Sequence, residues 1–236
     1  MPLLRCAVLL PVALAVATPP SGAPAVAGER LRYAINWPSG LSLGEAEMDA
    51  SASKPASPSD AGRLDLEFNV DAGVPGFSVS DRYHAAATAE FCSVELGRSS
   101  LHGSKKIDDK TTFDPHAGSA TRETTGGGKT EMQTSSCAKD ALTFLYFARR
   151  ELSQGRIPPP QTVYFGAPYD IRLEFGGTQK IQVASKQVDA DRFSATARGP
   201  ASEINFEIFF LHDDARTPVL VRVPLALGTF SMELIR

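Results

Sequence analysis

Alternation with a period of two runs through most of this chain and restricts its fold more than any other feature. In Arg63 to Val70, RLDLEFNV, the apolar Leu64, Leu66, Phe68 and Val70 fall on one face, with Arg63, Asp65, Glu67 and Asn69 on the other. That is the pattern of a strand with one buried and one wet face. Gly44 to Ala52, Tyr169 to Phe175, Arg192 to Arg198 and Glu203 to Phe210 read the same way. Half-wet strands of this kind pair antiparallel. Turn-forming runs separate them at 53–62, Val74 to Gly76, Asp114 to Gly118, Gly126 to Gly128 and Phe175 to Gly177. The expected sheet is therefore a meander.

One segment departs from this rhythm. Between Ser135 and Gly155, Leu142, Leu145, Tyr146 and Leu152 recur at helical spacing, and Phe144, Phe147 and Ala148 widen the stripe. Ser136 or Asp140 can cap the start, while Gly155 and the prolines from 158 to 160 stop the end. So apolar a helix has to lie against the sheet. The expected fold is mostly β: a single highly curved antiparallel sheet, or open barrel-like roll, with one helix packed against it. No internal repeat and no linker divides the chain, so residues 28–236 read as one domain.

The N-terminus has the form of a secretory signal. Arg5 precedes an apolar run from Cys6 to Ala17, with small-residue cleavage signals at 15–17 and 25–27. A signal peptide over 1–27 is expected, and with it a soluble, periplasmic protein. The apolar run is too short to span a bilayer, which needs about 20 helical residues, and Cys6 precedes that run instead of following it, so no lipid anchor is expected there. The full chain carries a net charge of −3, and removing the leader takes away Arg5 and no acid. An acidic chain offers no basic face for nucleic acid. Cys92 and Cys137 remain as an even pair in an oxidising compartment, where a disulfide is the ordinary outcome and two buried thiols the alternative.

Four blocks, in order, carry a resemblance to a known family: YAINWPSGLSLGEAE from Tyr33, DALTFLYFARRELSQG from Asp140, VYFGAPYDIRL from Val163, and the closing stretch FFLHDDARTPVLVRVPLALGTFSMEL from Phe209. Together they resemble the exported bacterial family called domain of unknown function 3108 (DUF3108). The resemblance implies a largely β, exported protein and no particular activity. Within the last block, Asp213, Asp214 and Arg216 fall where two strands reverse, so His-Asp-Asp-Ala-Arg reads first as a turn.

Motifs of chemistry are weak. GGGKT at 126–130 lacks the first glycine of a phosphate loop, since Glu123 occupies its place. GFSVS at 76–80 has Ser80 where a nucleophile elbow needs glycine. The four histidines lie far apart without ligand spacing, so no metal or cofactor is expected. Asp140 reads as a cap. Arg149 reads as the partner of a buried carboxylate or, beside an open cavity, as the holder of an anionic head group. The expected function is a non-enzymatic cell-envelope module for an apolar or lipid-like ligand, with Trp37, Phe144, Tyr146, Phe147, Arg149, Phe206 and Phe210 as candidate contacts. A protein-interaction adaptor or structural envelope protein without a small ligand is the second reading. An exported hydrolase using Asp213, Asp214 and His212 is the third.

Overall fold

The computed structural model describes residues 26–53, 62–183, 185–226 and 228–235. The expected leader lies outside these residues apart from Val26 and Ala27, as does most of the turn expected at 53–62. Val26 itself is buried in the core, so the packed structure begins ahead of position 28.

Fifteen strands form one sheet among the described residues. In chain order they are β1 (Glu29–Asn36), β2 (Ser42–Ala52), β3 (Leu64–Val74), β4 (Phe77–Ala87), β5 (Ser93–His102), β6 (Lys105–Asp114), β7 (Ser119–Thr124), β8 (Lys129–Gln133) and β9 (Lys139–Asp140), then helix α1 (Ala141–Ser153), β10 (Gln161–Tyr164), β11 (Pro168–Val183), β12 (Lys186–Arg198), β13 (Glu203–Leu211), β14 (Pro218–Leu225) and β15 (Gly228–Leu234). Their spatial order is β8 back through to β1, then β15 back through to β9. Two meanders thus meet where β1 pairs with β15, Tyr33 opposite Leu234. Every pairing is antiparallel except the short one between β9 and β10.

The alternation in the sequence maps onto the two faces of this sheet. Leu64 and Leu66 of β3 are fully buried, Leu66 opposite Ala50 of β2 and Ala85 of β4, in one core with Tyr33, Met48 and Leu96. The outer face holds cross-strand charge pairs, including Arg30 with Glu47 and Asp49, Arg32 with Glu45, and Lys110 with Glu95. Exposed pairs of this kind contribute little each, so the inner face supplies most of the stability.

The sheet has two free edges and no ladder closing it, yet it curls until the edges meet. Tyr164 Oη donates to the Gln133 carbonyl at 2.9 Å and Arg122 Nη1 to the Gly166 carbonyl at 2.8 Å. Phe113 meets Tyr164 edge-on, and Tyr83 lies 5.3 Å from Phe165. Asp109, nearly buried, accepts from both Arg98 and Arg122 beneath this seam. The disulfide between Cys92 and Cys137, with Cα atoms 4.6 Å apart, fastens the turn before β5 to the approach to β9. Next to it the Ser93 N–H donates to the Ala138 carbonyl at 2.8 Å.

One local expectation needs correction. The Phe175 to Gly177 run is no turn: β11 continues through it, and a register shift between Phe175 and Thr178 absorbs the glycines as a bulge. Of the two caps expected for the helix, Asp140 is the one used and α1 begins at Ala141, because the disulfide and β9 hold the residues before it.

Gly44 leaves no room for a side chain between β2 and β3, since a Cβ there would lie 2.0 Å from the Asp71 carbonyl oxygen. We expect Gly44→Ala to lower the denaturation midpoint clearly by parting β2 from β3. An unchanged midpoint in a urea titration would contradict this packing. The disulfide closes a separation of 45 residues, so its reduction should destabilise the fold by about 4 kcal/mol in the chain-entropy account. Thiol titration of the denatured, unreduced protein should find both cysteines blocked.

Candidate functional site

The site is built around α1, and α1 is fixed by its first residue. Asp140 caps it: Oδ1 accepts from the N–H groups of Leu142 (2.9 Å) and Thr143 (3.0 Å), and Oδ2 from the hydroxyls of Ser93 and Thr143 (both 2.6 Å). Burial pushes this carboxyl above its ordinary range, while the bonds from Ser93 and Thr143 pull the other way. Ser93 also accepts from the Asp140 N–H at 2.7 Å, which locks the cap to β5.

The apolar stripe of α1 serves two surfaces. Leu142 and Tyr146 enter the main core beside Tyr33 and Leu66. Ala141, Phe144, Leu145 and Ala148, spaced three and four apart, turn towards β10–β14 and form one wall of a groove. The facing wall comes from alternate strand residues: Tyr169, Ile171 and Leu173 of β11, Ala197 of β12, and Ile204, Phe206, Ile208 and Phe210 of β13. The two alanines of α1 leave the space between the walls. Its volume is about 400 Å³, within the range of small-molecule sites. The Tyr169 hydroxyl is the one polar side-chain group among the described lining residues, and none of them is Asp, Glu, His, Lys or Arg. Such a cavity can exclude water and hold apolar surface, and it offers nothing to a charge.

Arg149 sits away from the groove, fully buried. Its Nη1 and Nη2 each donate at 2.6 Å to one carboxylate oxygen of Glu29, Nε donates at 3.0 Å to the Ala215 carbonyl, and the guanidinium lies 4.9 Å from the Tyr146 ring centre. Burial works against the charge, but the Glu29 carboxylate outweighs it and holds Arg149 above its ordinary range. Burial raises the phenols of Tyr33 and Tyr146 alongside. Of the two partners expected for Arg149, the structure supplies the internal carboxylate.

The His-Asp-Asp-Ala-Arg stretch reverses the chain between β13 and β14. Both oxygens of Asp213 go to Thr217, at 2.8 Å from its N–H and 2.6 Å from its hydroxyl. His212 and Arg216 point back to Asp191 on β12, at 2.6 and 2.9 Å, and Thr178 completes that cluster at 2.6 Å. Burial raises the Asp191 carboxyl, but Thr178, His212 and Arg216 together hold it below its ordinary range. Arg216 takes φ +47°, a conformation its pairing with Asp191 helps to hold. Asp214 borders a separate space of about 110 Å³ beside Arg149 and Val26. Asp213, Asp214 and His212 thus have separate roles and do not converge.

Among the candidate contacts, Phe144, Phe206 and Phe210 line the groove. Tyr146 and Arg149 belong to the buried network. Phe147 lies on another side of α1 beneath Lys139, and Trp37 packs edge-on against Phe230 at 4.8 Å. The β11 face and the small residues Ala141, Ala148 and Ala197 are not among the expected contacts, although the sequence marks Ala148 and the Tyr169 to Phe175 strand as structural elements. The alternation of Tyr169, Ile171 and Leu173 was the available signal.

The model of the family described as protein of unknown function (DUF3108) matches residues 32–235. A β-barrel-like protein of domain of unknown function DUF1849 from Brucella abortus is similar in structure, with a TM-score of 0.61 at 6% identity, covering 88% of this chain and 95% of that one. A Bacteroides fragilis protein with a YmcC-like fold gives a TM-score of 0.36 at 8% identity, covering 89% and 95%. No curated protein matches. The Brucella likeness shows the fold: a single large sheet, barrel-like and not closed.

Breaking the buried pair by Arg149→Met or Glu29→Gln should cost about 3 to 5 kcal/mol, since either change strands a partner, and the double variant should recover part of the loss. Urea titrations of the four proteins check this. Asp213→Asn keeps an acceptor for Thr217 and should cost less than Asp191→Asn. A depressed folded-state carboxyl stabilises above the unfolded pKa of about 3.9 and loses that contribution as pH falls through its folded value. The gap between wild type and Asp191→Asn should therefore be widest near neutrality and close in strong acid.

Proposed function

We propose that this chain, which belongs to the DUF3108 family, is an exported, periplasmic and non-enzymatic module that binds an apolar or lipid-like ligand of the cell envelope. The observation that carries the reading is the groove between α1 and β10–β14, with apolar walls on both sides and no Asp, Glu, His, Lys or Arg among its described lining. Water in such a space finds almost no hydrogen-bond partner, so an apolar occupant gains by replacing it. The Cys92–Cys137 disulfide fits an oxidising compartment. No helix among the described residues is long and apolar enough to cross a membrane.

The ligand would enter by its apolar part and keep any charged head outside, because Arg149, the buried cation nearest in sequence to the helical wall, is already neutralised by Glu29. Titration with an environment-sensitive acyl fluorophore should give saturable binding to the wild type. Ala197→Trp fills the groove from β12 and should weaken that binding by at least about tenfold, which is about 1.4 kcal/mol, while the protein still melts cooperatively. Equal binding by a folded Ala197→Trp protein would sink the groove as the site. Mass spectrometry of material carried through purification from the native envelope would name the natural occupant.

A further inference from the structure

Antiparallel order sends alternate turns to opposite ends of the sheet. At one end stand the connections β1–β2, β3–β4, β5–β6, β7–β8, β10–β11, β12–β13 and β14–β15. Large apolar side chains are exposed there: Leu41 (65%), Val74, Phe77 (51%), Leu101, Ile204 and Leu225 (56%), joined by Phe165. They make up seven of the ten exposed large apolar side chains among the described residues. The intervening loops 37–41, 75–76, 103–104, 125–128, 165–167 and 199–202 contain no Asp, Glu, Lys or Arg. At the opposite end the turns carry Glu90 and the His212 to Arg216 cluster.

The geometry points to a lipid bilayer surface as the partner of this apolar rim. The inference rests on the groove reading, because Phe165 and Ile204 belong to both the rim and the groove wall, so a ligand drawn from hydrocarbon would pass from rim to groove without crossing water. Several features favour lipid over a protein partner. The apolar groups project from separate hairpin tips with glycine and proline between them, which a fluid acyl layer can surround one by one. The charged residues within two positions of the six loops are Lys105, Lys106, Lys129 and Arg198 against Glu123 and Glu203. Lys106, Lys129 and Arg198 pair with Asp108, Glu131 and Glu203, so the cations beside the tips are mostly exposed and partly balanced, available to lipid phosphates at a modest net excess. Trp37, packed against Phe230 in the first of these turns, supplies the amphipathic ring common at membrane interfaces.

The test is flotation of the mature protein with neutral phosphatidylcholine vesicles and with vesicles containing an anionic phospholipid. Wild type should float with both, and more strongly with the anionic ones. The triple variant Leu41→Ser, Phe77→Ser, Leu225→Ser should lose at least about tenfold in partitioning, as the apolar surface removed implies, while Ile157→Ser, exposed away from the rim, should behave as wild type. Should the triple variant fail to melt cooperatively, Phe77→Ser alone decides, with an expected loss of about threefold or more. Wild type that does not float, or folded rim variants that float undiminished, would overturn the proposal. Fluorophore binding in vesicle-free solution separates the two readings: rim variants should retain it. Groove-filled Ala197→Trp should still float while losing it.

Discussion

A guanidinium with no exposed surface needs a partner at each of its nitrogens, and the way Arg149 finds three organises this molecule. Its two outer nitrogens take Glu29 at the start of β1, its Nε takes Ala215 in the turn before β14, and its flat face rests over Tyr146. One helical side chain thereby fixes the helix to the first strand, 120 residues earlier, and to a turn 66 residues later. That turn is held in its own right by Asp213 and, through His212 and Arg216, by Asp191 on β12. With the helix held on that side, its other side stands off from β11–β13, and the groove is the space that remains. A buried pair of this kind is weak evidence for stability and better understood as fixing one arrangement among several apolar ones.

The seam supplies the second constraint. A sheet this long exposes two edges unless it curls, and here the curl is completed by side chains instead of a ladder. Tyr164 reaches Gln133, Arg122 reaches Gly166, and the disulfide secures the turn before β5 alongside. Each polar contact is worth about 0.5 to 1.5 kcal/mol, far less than a ladder of backbone bonds. Phe165 lies both at this seam and in the groove wall, so the groove is bordered by the softest junction of the sheet.

Much of this was legible in the sequence. Leu64, Leu66 and Phe68 point inward as their spacing requires, the two cysteines pair, and the five-residue charged run is a turn. Periodicity could not separate the two uses of the helix: Leu142 and Phe144 belong to one broad apolar stripe, and only the sheet's curvature assigns one to the core and the other to the groove. Aromatic size did not mark the groove, since Trp37 packs against Phe230 and Phe147 against the main core, while Ala141, Ala148 and Ala197 are among its lining residues. Gly176 and Gly177 look like punctuation, yet a bulge needs the same freedom of φ as a turn.

The junction of β1 with β15 governs the order in which the molecule can be assembled. The first and last strands of the chain lie side by side in the middle of the sheet. During synthesis, β1 stays an open edge until residues 228–234 arrive, and the N-terminal meander has to wait with that edge unpaired. Pairing over so long a separation is slow. A truncation at either terminus therefore splits the sheet at its centre instead of trimming its margin.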